Sequence, residues 1–87
     1  MIPGFNTNIA HDNQTYHVQT EAVGGDDPHV LTLAYLGGAV VGQVKTSTRE
    51  LLGPHPSFEA LRTLMIRQHR QMITDIQAGK TEGEPGR

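Results

Sequence analysis

Between Phe5 and Glu21 the chain alternates residue by residue, and the alternation breaks once, at Asp12-Asn13. These two residue types tolerate the positive φ that a two-residue hairpin turn demands. A turn of that length fixes every cross-strand partner, because side chains alternate between the two faces of a strand. Ile9 is expected opposite Tyr16, Thr7 opposite Val18, and Asn8 opposite His17. Asn6, Asn8, His17, Gln19 and Glu21 then share one wet face of the hairpin.

After the loop residues Gly24-Gly25-Asp26-Asp27-Pro28, His29 to Leu36 and Ala39 to Ser47 read as a second hairpin around Gly37-Gly38. With Leu36 opposite Ala39, Leu31, Leu33 and Tyr35 share a face with Val40, Gly42 and Val44. Ala34, Leu36, Ala39 and Val41 occupy the other. Both faces are apolar near the turn, as in strands buried on both sides. Ser47-Thr48-Arg49-Glu50 matches a capping box ahead of Leu51-Leu52, with Gly53 as a stop, so one short helical turn follows. From Ser57 as N-cap to Gly79, Phe58, Leu61, Met65, Met72 and Ile76 recur at helical spacing, widened by Ile66 and Ile73.

The fold class expected is therefore α+β: a four-stranded antiparallel sheet of two hairpins, followed by one long C-terminal helix packed on one face. Residues 1–79 form a single ββββα domain. The tail 80–87, KTEGEPGR, has no apolar residue and is expected to be disordered. The face with the largest apolar side chains (Phe5, Ile9, Tyr16, Val18, Leu31, Leu33, Tyr35, Val40 and Val44) is expected to meet the helix. That choice leaves Ala34, Leu36, Ala39 and Val41 beside the polar row, and one helix cannot cover both faces. A second copy of the chain is the expected cover, making these four the oligomer interface of a homodimer.

Eighty-seven residues suffice for one thin core. The absence of cysteine removes thiol chemistry and fits a reducing compartment. The opening MIPGFNTN has neither a basic nor an apolar signal region, and no run of roughly 18 apolar residues occurs, so a cytoplasmic, non-membrane protein is expected. Seven Lys plus Arg against nine Asp plus Glu give a net charge of −2, not the positive excess of a dedicated nucleic-acid binder.

Five histidines, at 11, 17, 29, 55 and 69, invite a metal reading, yet none stands at ligand spacing to another, and no metal or cofactor is expected. His69 lies within the apolar stripe of the helix. Two readings stand for it: a ring packed on the sheet with one nitrogen bonded to a backbone carbonyl, or a pH-sensitive or ligand-touching group at the helix–sheet seam. Arg62, Arg67 and Arg70 make the middle of the helix basic, with Arg67 and Arg70 facing solvent and available to phosphate. The glycine pairs lack the flanking residues of phosphate loops. His17 and Glu21 share a strand face but stand about 13 Å apart, too far for a proton relay. No catalysis is expected.

The segments GFNTNI, YHVQTE, the Gly-Gly hairpin and LMIRQHRQMITDIQAGK together resemble a group of small bacterial proteins, from Gly4 to Lys80. The resemblance implies a compact domain with the strands first and the helix last, and brings no activity with it. Four strands followed by a helix is also similar in topology to the Whirly and Pur-alpha single-stranded nucleic-acid binders, from which this acidic chain departs in having only Phe5, Tyr16, Tyr35 and Phe58 as aromatics. The function expected is a small non-catalytic, homo-oligomeric binding or adaptor module with a protein partner. Single-stranded nucleic-acid binding through the polar sheet face, with Arg67 and Arg70, is the alternative and the less favoured partner class.

Overall fold

The computed structural model describes residues 2–80. Strands β1 (Phe5–His11), β2 (Gln14–Val23), β3 (His29–Leu36) and β4 (Ala39–Ser47) are followed by helices α1 (Thr48–Leu52) and α2 (Phe58–Gln77). The sheet is antiparallel in the order β1-β2-β3-β4, so β1 and β4 are its edges, and α2 packs on one face. The tail expected to be disordered lies, beyond Lys80, outside the described residues.

Local chemistry accounts for each element. Asp12 and Asn13 sit at φ 52° and 63°, the turn expected of them, and Ile9 pairs Tyr16, Thr7 pairs Val18 and Asn8 pairs His17. The Ser47 hydroxyl accepts from the Glu50 amide at the start of α1, and Ser57 accepts from Ala60 at the start of α2. Helix α2 ends in a Schellman motif: Gly79, at φ 75°, donates to Ile76 and Lys80 donates to Asp75.

The second hairpin departs from expectation. Val18 lies opposite Ala34 and Thr20 opposite Thr32, so Val30, Thr32, Ala34 and Leu36 are the residues of β3 that meet the helix. Leu31, Leu33 and Tyr35 point the other way, beside Glu21, Gln19 and His17. Ala34 is wholly buried, and Leu36 and Val41 pack on the cluster of Tyr16, Val18, Ala34, Met72 and Ile76. Three of the four residues expected at an oligomer interface therefore lie under α2, and Ala39 is exposed at the hairpin turn. Large side chains are the wrong guide here because the helix needs closeness. A Cβ added to Gly42 would stand 3.1 Å from Met72 Sδ, so Ala34 and Gly42 together make the hollow that receives Met72.

A β-bulge completes the inversion. Leu36 pairs Ala39 and Tyr35 pairs Val40, but Ala34 pairs Gly42, leaving Val41 as the extra residue. Without it, Gln43 would oppose Thr32 and Lys45 would oppose Val30, placing both under the helix. With it, Val44 and Thr46 take those positions and Lys45 turns to the open face, 2.8 Å from Asp27. Phe58, expected in the apolar stripe, is 59% exposed, while Gln68 and His69 are buried in the middle of that stripe.

Ile76, almost fully buried, should lose about 2 to 5 kcal/mol on replacement by alanine, through lost transfer energy and the cavity left behind. Leu33→Ala, on the open face, should cost less than about 1.5 kcal/mol in dilute solution. Urea denaturation of the two variants checks the assignment of faces, and equal losses would contradict it.

Candidate functional site

Two polar constellations occupy opposite faces of the sheet. The inner one begins with Thr20 and Thr32, which form a directly opposed pair on the two central strands. β-branched threonine suits a strand, but its hydroxyl, once buried, requires a partner. The two hydroxyls lie 2.7 Å apart, and His69 Nδ1 lies 2.8 Å from Thr20 Oγ1. His69 Nε2 lies 2.8 Å from Thr7 Oγ1 on β1. Gln68, one residue earlier on α2, directs its amide nitrogen to Thr32 Oγ1 and to the carbonyls of Val30 and Val44, each at 3.1 Å. Its carbonyl accepts from Thr46 Oγ1 at 2.6 Å.

One assignment of protons satisfies the buried chain throughout: Gln68 donates to Thr32, Thr32 to Thr20, Thr20 to His69 Nδ1, and His69 Nε2–H to Thr7. His69 is then neutral. Burial pushes its pKa below the ordinary imidazole value near 6.5, in the same direction. No buried side-chain nitrogen or oxygen among the described residues lacks a hydrogen-bond partner. The His69 ring does pack at the seam, with threonine hydroxyls on both nitrogens in place of a backbone carbonyl, and it also borders the groove between α2 and β1.

The outer constellation is the polar row. Asn6, Asn8, His17, Gln19 and Glu21 do share the open face, as the first hairpin dictates. His17 bridges the two asparagines: its Nδ1 lies 2.7 Å from Asn8 Oδ1 and its Nε2 lies 3.2 Å from Asn6 Oδ1. Its ring leans on Tyr35, with centroids 6.3 Å apart. Gln19 and Glu21 make no side-chain hydrogen bond among the described residues and sit beside Leu33 and Leu31. A polar ladder and an apolar ladder thus run side by side on uncovered sheet, extended by Val40, which is 51% exposed. At the far end Lys45 holds the Asp27 carboxyl below the usual carboxylate range, by its hydrogen bond first and its charge second. That pair is solvent-exposed and adds little to stability.

Arg67 and Arg70 are exposed on α2, on the opposite side of the sheet from the polar row. They also part from each other: Arg70 borders a groove against β1, and Arg67 borders the side of α1 and β4. Among the described residues no three His, Cys, Asp or Glu side chains converge on a point that could hold a metal ion. No described helix is long and apolar enough to cross a membrane. Alternation and helical spacing do not point to Thr7, Thr20, Thr32 and Gln68 as a connected set, nor to Leu31, Leu33, Tyr35 and Val40 as open-face residues. A polar Gln68-His69 pair inside an apolar stripe was the available signal for the first. Comparison of the chain with protein-family models, curated proteins and solved structures finds no match.

His69→Ala should destabilise the fold by about 2 to 4 kcal/mol, since it opens a cavity and strips Thr20 and Thr7 of a partner. The pH dependence follows from the lowered pKa. As pH falls through about 6.5 the unfolded chain takes up this proton and the folded one does not, so the stability present above that value is lost towards the lower folded pKa. Thermal melts between pH 5 and 7 should show this slope in the wild type and a flatter one in His69→Ala.

Proposed function

We propose that the protein is a small cytoplasmic, non-catalytic binding module that docks through the open face of its sheet, first of all on a second copy of itself. The observation that carries this reading is the uncovered ladder of Leu31, Leu33, Tyr35 and Val40 lying against the His17–Asn8–Asn6 cluster. Apolar side chains contiguous on one sheet face favour removal from water, and a twofold dimer supplies matching surface with no further partner. The asparagines and His17 are already held by one another, so their ordering entropy is spent before any partner arrives. They supply polar contacts around the apolar centre, the usual anatomy of a protein interface.

The interface proposed therefore replaces Ala34, Leu36 and Val41 with Leu31, Leu33, Tyr35 and Val40, and keeps the polar row. The nucleic-acid alternative has less support. It requires the polar row and Arg67 and Arg70 on one surface, whereas the sheet lies between them. The open face itself carries Glu21, and its Lys45 is already engaged by Asp27.

Leu33→Glu or Val40→Glu should place an unpaired charge in the seam and convert the dimer to a folded monomer, read by light scattering and sedimentation. His17→Ala should weaken association and leave the monomer's stability within about 0.5 kcal/mol of wild type. A wild-type chain that stays monomeric at millimolar concentration would remove the support for this reading.

A further inference from the structure

The opposite flank of the molecule holds a second recognition surface. Strand β1 is an edge, and its hairpin turn settles which backbone groups face outward. His11 and Gln14 close a two-residue turn as a hydrogen-bonded pair, and such pairs recur at every second position. Phe5, Thr7, Ile9 and His11 therefore spend their amides and carbonyls on β2. Asn6, Asn8 and Ala10 present theirs to the outside, with no partner among the described residues. Edge strands are ordinarily protected by lysine, proline or a bulge. β4 has both the bulge at Val41 and Lys45, whereas β1, FNTNIAH, has none of the three.

Beside this edge runs a groove of about 430 Å³ between β1 and α2. Phe5 and His69, with ring centroids 5.7 Å apart, and Ile66 form its floor, and Arg62 and Arg70, two helical turns apart, stand along its helical wall. Neither arginine has a carboxylate partner among the described residues, and no carboxylate lines the groove. Backbone donors and acceptors, an apolar floor and two unpaired guanidiniums converge on one strip of surface.

We infer that this groove binds an extended acidic peptide segment, which adds to β1 as a fifth strand and sets alternate carboxylates against Arg62 and Arg70. Strand addition supplies main-chain hydrogen bonds independent of sequence, and the side chains that point towards the helix supply selectivity. Paired Arg–carboxylate contacts are short and charge-assisted. A second copy fits less well. Antiparallel pairing of two β1 edges brings Arg62 of each helix towards Arg70 of the other, like charge against like. The groove lies on the helix side of β1, across the sheet from Leu31, Leu33, Tyr35 and Val40; Asn6 borders both surfaces, so the titration is made on the Leu33→Glu variant, in which the proposed dimer face is disabled.

The probe is a blocked heptapeptide alternating glutamate and valine, titrated into isotope-labelled protein while amide shifts and hydrogen exchange are followed. Saturable binding is expected, with new protection at the amides of Asn6, Asn8 and Ala10. Affinity should fall by about tenfold or more for the Arg62→Glu/Arg70→Glu double variant, and similarly when lysine replaces glutamate in the peptide. Both arginines are exposed, so the fold should be unchanged by their substitution. The inference is overturned if the acidic peptide fails to bind at millimolar concentration, or binds without protecting those three amides, or binds no better than its lysine counterpart. It is equally overturned if the same amides gain protection from an oligothymidylate in preference to the peptide, or from raised protein concentration alone.

Discussion

The hydrogen-bonded connection of Gln68 and His69 on α2 to Thr7, Thr20, Thr32 and Thr46 on all four strands is the constraint on which the rest of the structure depends. A thin apolar core tolerates many placements of a single helix over a sheet, because hydrophobic contact is not directional. Hydrogen bonds are directional, and leaving any of these buried groups unpaired costs about 1 to 3 kcal/mol. The network therefore fixes the azimuth and the position of α2 along the sheet. It also selects which face of the second hairpin is buried, since only one offers Thr32 as a partner for Thr20.

Other features follow from that selection. Small residues under the helix, Ala34 and Gly42, let Met72 seat closely. The bulge at Val41 keeps the polar Gln43 and Lys45 out of the seam for the remainder of β4. Larger apolar side chains on β3 are sent to the open face, where the helix cannot reach them. The chain thus leaves Leu31, Leu33 and Tyr35 uncovered by α2 and keeps a well-bonded inner face. The buried network and the ladder of Leu31, Leu33 and Tyr35 are separated by the thickness of one sheet.

The first hairpin and both helices were legible in the residues themselves, because their determinants are local. Asp12-Asn13 permits one turn, the turn permits one register, and register assigns every side chain of β1 and β2 to a face. Ser47 and Ser57 cap helices through their own hydroxyls, and Gly79 ends one through a φ that other residues resist. The polar row of Asn6, Asn8, His17, Gln19 and Glu21 was legible for the same reason.

The faces of β3 and β4 were not legible, and the physical reason is that both faces of that hairpin are apolar. Alternation then carries no sign: it groups Leu31 with Leu33 and Ala34 with Leu36 but does not say which group meets the helix. Side-chain size suggested one answer, and close packing together with hydrogen-bond satisfaction imposed the other. The sequence by itself determined the elements, their order and the composition of each face of β1, β2 and β3, but not of β4 beyond its bulge. Only the tertiary structure decided which face was buried, that Val41 would bulge, and that Arg62 and Arg70 would stand beside an open edge. Those outcomes depend on groups up to 62 residues apart, as Thr7 and His69 are, coming within hydrogen-bonding distance, where local propensity has no reach.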